Sequence, residues 1–146
     1  MVYEKLFSLA SIAMPFWFLL ILLPTWRATR FLANIAIFPM YLAALYTVGI
    51  ITAIAGSGFG FIQDFGSAEG VIRLLSKPGF ALLVWLHLLC FDQMVGHYVY
   101  RDNMEHRYVP LPVQSILLFL ILMFGPLGLL CYFVLRRIRK QSKLSL

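Results

Sequence analysis

Long apolar stretches alternate with short polar segments along the whole chain. The apolar stretches lie at about residues 6–23, 31–55, 80–99 and 111–135, each near the ~20 residues that a helix needs to cross a bilayer. Lipid offers no hydrogen-bond partners, so a spanning segment must be a helix or part of a closed barrel. The stretches do not show the alternation of a barrel strand, and each is therefore predicted to be helical. We therefore expect an all-α polytopic membrane protein, a four-transmembrane-helix bundle that forms one membrane domain over residues 1–146.

Composition supports a membrane location. The chain is 62% hydrophobic and 12% charged, whereas soluble domains carry about 25% charged residues. The net charge of +6 does not indicate nucleic acid, because many of the cations cluster in "RRIRKQSK" directly after the last apolar stretch. This basic tail, residues 136–146, is predicted to lie in the cytoplasm and to bind anionic lipid headgroups.

The distribution of Lys and Arg predicts an orientation. With four crossings, eight of these residues fall on the side of the N-terminus, the 56–79 connection and the tail. The other four are Arg27, Arg30, Arg101 and Arg107. The positive-inside rule then places both termini on the cytoplasmic or stromal side. The first stretch is too long for a typical signal peptide and lacks an A-x-A-like site, so we expect it to be retained.

Proline and glycine predict local breaks in several of these helices. Pro15 is expected to kink the first span or mark a late start, Pro24 to close that span, and Pro39 to interrupt the second. The last stretch carries helix-breaking residues in "MFGPLGLLCYF", namely Gly125, Pro126 and Gly128. They either serve close packing of a kinked helix or form a groove for a flat or elongated ligand.

The 56–79 connection is Gly-rich at first and then helix-like. In "AEGVIRLLSK", apolar and charged residues fall on different sides of a helix. The pattern predicts a short interfacial helix between spans 2 and 3. A flexible cover over a lateral opening is the alternative.

The third span contains His87 and Asp92, groups that are costly at membrane depth and usually face the bundle interior. At ~100° per residue they lie roughly 140° apart around the helix. Asp92 either forms a structural ion pair with Arg27 or Arg30, or lacks a full partner and stays protonated as a general acid. His87 either forms a hydrogen bond to another helix or has a functional role.

A metal site is not predicted. The other histidines are His97, ~15 Å along the same helix, and His106 in the outer loop. Cys90 and Cys131 both fall inside spans and are expected to be free thiols.

Three quoted segments, "MPFWFLLILLPTWRAT", "VWLHLLCFDQMVGHYVYRD" and "FGPLGLLCYF", together resemble the abscisic-acid-deficient-4-like family of small membrane proteins. Its plant members are associated with forming neoxanthin from violaxanthin in chloroplasts. Gln93 and His97 depart from the plant pattern, and no transit peptide precedes the first span, so the chain resembles a bacterial, cyanobacterial-type member. The pattern is carried by Pro15, Trp17, Pro24, Trp26, Thr29, Trp85, His87, Leu88, Asp92, Asp102, Gly125, Pro126 and Gly128.

The resemblance implies a carotenoid-modifying or carotenoid-binding protein of a thylakoid or bacterial inner membrane. Turning an epoxide into an allenic alcohol needs an acid and a base but no redox cofactor. Asp92 and His87 are the candidate catalytic pair. The candidate ligand-binding residues are Trp17, Trp85 and Phe91, with Gly125, Pro126 and Gly128 at the groove.

Two other functions stay open at this point. One is a small non-catalytic subunit, or an assembly or photoprotection factor, of a photosynthetic membrane complex. Its support is size, since four short helices enclose little volume for a long ligand unless they form a homo-oligomer. The other is a proton or ion pathway through His87 and Asp92.

Overall fold

A computed structural model describes residues 2–144, and this part of the chain is almost entirely helical. Two 3₁₀ segments, Ser11–Ala13 and Gly60–Gly66, accompany the α-helices. The α-helices are α1 Val2–Ala10, α2 Met14–Leu22, α3 Arg27–Asn34, α4 Ile37–Ser57, α5 Ala68–Leu75, α6 Pro78–His106, α7 Leu111–Phe124 and α8 Pro126–Leu144. The predicted all-α membrane class is confirmed.

Three helical segments among the described residues are long and apolar enough to cross a membrane. They are Val2–Leu22, which joins α1 and α2 through the first 3₁₀ segment, together with α4 and α6. The predicted fourth span is instead two helices. α7 has 14 residues, about 21 Å, which is shorter than the ~30 Å hydrocarbon core. Three helices of the described part thus have the length and hydropathy of a membrane span, and the predicted count of four crossings stays a prediction.

The reversal between α7 and α8 follows from local sequence. Gly125 has a φ of 27° and a ψ of −86°, a backbone conformation that side chains disfavour. Pro126 then opens α8, where its missing N–H costs no helical bond. Gly128 lies so close to α7 that a Cβ there would come within 2.6 Å of the Ile121 nitrogen.

The start of the basic tail lies beside the end of α6. The Arg136 guanidinium donates to the Tyr98 hydroxyl at 2.9 Å and lies 3.4 Å from the Asp102 carboxylate. Arg136 and the end of α6 therefore lie together, and the predicted orientation of the termini stays a prediction.

Most other breaks lie near the predicted prolines. A 3₁₀ segment precedes Pro15, and α2 ends just before Pro24. The break near Pro39 comes earlier than predicted, at Ile35 and Ala36, where Ala36 has a φ of 50°. Pro39 therefore lies in the first turn of α4, where a missing N–H is tolerated.

Backbone contacts divide the chain into two compact units, and the single membrane domain over residues 1–146 stays a prediction. The first unit comprises Met1–Ala13 and Met40–Cys90, and the second comprises Met14–Pro39 and Phe91–Leu146. α6 is a continuous helix that contributes to both.

The first unit is held mainly by apolar contacts. Its buried side chains include Leu6, Leu42, Leu74 and Leu83, and the Tyr41 hydroxyl donates to the Leu9 carbonyl at 2.9 Å.

The predicted helix α5 is present in the first unit and is tied to the 3₁₀ segment before it. Ser67 caps its N-terminus by accepting from the Gly70 amide at 3.1 Å, and Arg73 pairs with Asp64 at 3.3 Å. Its predicted position on the membrane surface stays a prediction.

The second unit contains a core and several buried hydrogen bonds. Phe16, Trp17, Leu20, Leu118, Ile121 and Tyr132 are nearly inaccessible. Asn103 holds the loop before α7, since its amide donates to the Val109 carbonyl and to Gln114 and accepts from the Val109 amide. The Ser115 hydroxyl donates to the Ile21 carbonyl, near the end of α2, at 2.6 Å.

Candidate functional site

The first unit contains an apolar pocket of about 320 Å³. Three elements build it: α4, the 3₁₀ segment Gly60–Gly66 and α6. Its walls are aromatic and aliphatic except for two side chains that carry polar groups, Tyr46 and His87. The pocket is lined by Tyr46, Ile50, Phe61, Phe65, Phe80, Leu83, Val84 and His87.

Helical spacing explains how two of the walls form. Phe80, Leu83, Val84 and His87 follow the i, i+3, i+4, i+7 pattern of one helix face. On α4 the spacing of four between Tyr46 and Ile50 has the same effect. These side chains therefore converge on one space without any special backbone geometry.

The third wall comes from the Gly-rich connection. Phe61 of the 3₁₀ segment contacts Phe80, with ring centroids 5.3 Å apart, and also contacts Phe65 at 6.4 Å. The sequence reasoning did not select these three phenylalanines. For Phe61 and Phe65 the available signal was aromatic side chains in an otherwise small and polar connection, "GSGFGFIQDFG", whereas Phe80 begins the third apolar stretch.

The polar side chains of the pocket lie together. The rings of Tyr46 and His87 have centroids 5.0 Å apart and are tilted by 56°. Within residues 2–144 the Tyr46 hydroxyl makes no hydrogen bond. It is thus free to donate to a bound molecule.

Asp92 belongs to the second unit, where it lies at the reversal between α7 and α8. Its carboxylate is so close to Gly125 that an added Cβ would overlap Oδ1. Within the described residues Asp92 forms no ion pair with Arg27 or Arg30. The structure therefore does not contain the predicted pair between these helices.

His87 and Asp92 thus belong to different units. α6 runs without a break from Pro78 to His106, so no helix distortion reduces the ~140° offset expected between them. Their predicted joint role in catalysis stays a prediction.

The predicted aromatic ligand residues occupy varied environments. Trp17 is 2% exposed and packs on Gly96, where an added Cβ would overlap its ring. Trp85 and Phe91 are half-exposed on α6. None of the three lines the pocket that contains His87, and their role in binding stays a prediction.

Asp102 forms a polar cluster with helix α8 in the second unit. It accepts a 2.5 Å hydrogen bond from the buried Tyr132 hydroxyl and lies 3.4 Å from Arg136. Burial acts to lower the pKa of Arg136, but hydrogen bonds to Tyr108 and Tyr98 and the charge of Asp102 raise it above its usual value. These contacts fasten α8 to α6.

The second unit also buries polar atoms that lack a partner within residues 2–144. They are the Gln93 amide, Nδ1 of His97, the Thr29 hydroxyl and the Gln114 amide nitrogen. Gln93 and His97 lie one turn apart on α6. Unpaired groups of this kind are rare in folded proteins.

Three membrane-length apolar helices define a helical integral membrane protein, and the pocket among its first-unit helices is a candidate site for an apolar ligand. The chain belongs to the ABA DEFICIENT 4-like family, whose model matches residues 5–132. This confirms the resemblance seen in the sequence. Searches of curated proteins and of solved structures found no match. The family suggests a role related to carotenoid and xanthophyll biosynthesis, that of neoxanthin in particular.

Proposed function

We propose that this protein binds the ring end of an epoxidised xanthophyll in the first-unit pocket and isomerises the epoxide to an allenic alcohol. The observation that carries the proposal is an aromatic pocket with Tyr46 and His87 as its polar groups. Family membership supplies the ligand class.

The pocket suits one end of a long polyene. Its volume of about 320 Å³ is at the lower end of the ~300–1,000 Å³ typical of ligand sites. It therefore accommodates an end group, while the remaining polyene extends along lipid-exposed helix surface. Aromatic faces at Phe61, Phe65 and Phe80 favour contact with the ring and stabilise positive charge that develops there.

The proposed chemistry uses the two polar side chains. Tyr46 donates a hydrogen bond and then a proton to the epoxide oxygen as the carbon–oxygen bond breaks. His87 takes a proton from the adjacent polyene carbon, and the electrons of that bond form the allene. The imidazolium returns a proton to the tyrosinate, so the step is redox-neutral. Apolar walls exclude the water that would otherwise trap the cation.

This proposal gives the acid role to Tyr46 rather than to Asp92. Tyr46 lines the same pocket as His87, whereas Asp92 lies in the second unit beside Gly125. Asp92 as the acid is the competing form of the mechanism.

Violaxanthin binding and turnover test the proposal in purified protein. Phe61→Ala should weaken binding about tenfold, because it removes one pocket wall, whereas Phe119→Ala at an exposed position of α7 should bind normally. His87→Asn and Tyr46→Phe should bind violaxanthin yet lower turnover by about 10²-fold or more. Product is measured by chromatography and binding by the visible spectrum.

Other outcomes separate the alternatives. Full turnover in Tyr46→Phe with none in Asp92→Asn would return the acid role to Asp92. Equal binding by Phe61→Ala and the unaltered protein would exclude the pocket. A protein that binds no carotenoid and migrates with a photosynthetic complex would support the non-catalytic subunit and overturn the proposal.

We also propose that the termini lie on opposite faces of the membrane. Three crossing helices leave the N-terminus and the end of α6 on different faces, and α8 begins its basic tail beside that end. The positive-inside rule then places the C-terminal face in the cytoplasm or stroma. Reporter fusions that act on one face only should give opposite results at the two termini, and identical results would refute three crossings.

A further inference from the structure

Positive charge is concentrated in the second unit. It carries nine of the twelve Lys and Arg residues of the chain and three acidic residues. Arg136 is paired with Asp102, but within residues 2–144 Arg30, Arg101 and Arg107 form no ion pair or hydrogen bond through their side chains. Like charges held close together without counterions repel one another, so this cluster is suited to an anion.

Two of these arginines line one cavity. Arg30 from α3 and Arg101 from α6 border a space of about 190 Å³ together with Asn34, Tyr100, Met104 and Glu105. Arg107 follows α6 directly in sequence and does not line the cavity. Glu105 also lines the cavity, yet it pairs with neither arginine.

The position of the cavity indicates the source of the anion. It lies at the C-terminal end of the membrane-length helix α6. α3 begins just after Trp26, which is 52% exposed, and such tryptophans mark the membrane–water interface. Phe31, next to Arg30, is 63% exposed. Exposed apolar surface therefore adjoins the arginines, as an acyl chain below a headgroup requires.

We propose that this cavity binds the phosphate of an anionic lipid headgroup. The Arg30 and Arg101 guanidinium groups donate paired hydrogen bonds to the phosphate oxygens, a geometry that arginine favours. The Asn34 amide supplies a further donor. The Tyr100 hydroxyl is already engaged, because it donates to the Pro24 carbonyl at 2.5 Å. The Tyr100 side chain therefore lines the cavity without donating to the phosphate.

Lipid binding to the full-length protein in detergent tests the site. Native mass spectrometry with phosphatidylglycerol and phosphatidylcholine should show at least tenfold preference for the anionic lipid. The Arg30→Gln, Arg101→Gln double variant should lose that preference by about tenfold. Arg137→Gln, Arg139→Gln removes the same charge from the tail and should retain most of it. Arg101→Lys keeps the charge but not the paired donors and should give an intermediate loss.

Three results would overturn the proposal. Equal losses in the two double variants would show that charge alone attracts the lipid. Equal affinity for the two lipids would exclude headgroup recognition. Inorganic phosphate that competes as tightly as the lipid would identify a site for a free anion. Circular dichroism shows whether each variant is folded. If the Arg30→Gln, Arg101→Gln double variant does not fold, the lipid preference of Arg101→Lys tests the proposal instead, and an unchanged preference in that variant would overturn it.

Discussion

The first unit has three basic and three acidic residues, and its buried core is apolar. The second unit has nine basic and three acidic residues, and the described buried polar side chains all lie there, namely Thr29, Gln93, His97, Asn103 and Gln114. Apolar contacts are non-directional and tolerate adjustment, whereas buried hydrogen bonds require fixed geometry. We infer that the first unit is adaptable around its pocket and the second is the rigid scaffold.

The largest expected effect is at the reversal in the second unit. Gly125→Val places a branched side chain on a residue whose φ is 27°, and that side chain overlaps the Asp92 carboxylate. These two costs together should exceed about 3 kcal/mol, a large part of a typical folding free energy. We expect little folded protein by size-exclusion chromatography in detergent.

The matched control for this variant lies in the first unit. Gly56→Ala, at the end of α4, adds a Cβ with no atom within 4 Å. It should fold normally and gain up to about 1 kcal/mol from helix propensity. If both variants fold equally well, the two units do not differ in tolerance.

The next largest effect is expected at Asn103, which is fully buried. Asn103→Ala removes bonds of 2.6–3.0 Å to Val109 and Gln114 and leaves their buried polar groups unpaired. The free energy of unfolding in mixed micelles should fall by about 3 kcal/mol. In the first unit, Thr52→Ala removes an exposed hydrogen bond within α4 and should change the free energy of unfolding by less than about 0.5 kcal/mol. A similar change in both would contradict the proposed scaffold.

Glycine-to-alanine changes should give a smaller but direct comparison of packing. Gly96→Ala in the second unit overlaps the ring of buried Trp17 and should destabilise by about 2 kcal/mol. Gly49→Ala in the first unit meets the Cδ1 methyl of Leu83 at 2.6 Å, the end of a side chain that can rotate. Its cost should stay below about 1 kcal/mol. Thermal unfolding of both variants in one detergent measures the difference, and the reverse order would remove the distinction between the units.

A modest effect is expected in the first unit, at its long-range hydrogen bond. Tyr41→Phe removes the donor to the Leu9 carbonyl and should cost about 1 kcal/mol. Because Tyr41 does not line the pocket, violaxanthin binding should be unchanged. Hydrogen exchange of the α1 amides reports local loosening, and unchanged protection of those amides would count against a stabilising role for this bond.

Apolar runs were sufficient to predict three of the spans and the helical class. They do not distinguish a single crossing from a hairpin at residues 111–135, because a run of that length has the same hydropathy whether it crosses once or folds back as α7 and α8 do. Gly125 and Pro126 were identified as a break, but the reversal depends on their φ angle and on contacts to Ile121 and Asp92, which no local pattern contains.

The pocket was only half predictable. His87 was identified because an ionisable group at membrane depth is unusual, and the family motif includes it. Phe61 and Phe65 belong to a Gly-rich connection whose path depends on the Ser67 cap and the Arg73–Asp64 pair. Asn103 was not selected either, because a polar residue near the end of a span is usually exposed to water, and its burial follows from the loop folding back onto α6.

The reversal at Gly125 also bears on how the chain enters the bilayer during synthesis. Placing one Lys or Arg at the centre of the hydrocarbon costs about 2.5–3.5 kcal/mol, and five such residues lie in the second half of α8. Arg136 of α8 lies beside the end of α6, so under the proposed three-crossing topology we expect that the insertion machinery does not carry those five cations through the lipid. In that topology the hairpin of α7 and α8 is expected to insert after the three membrane-length helices.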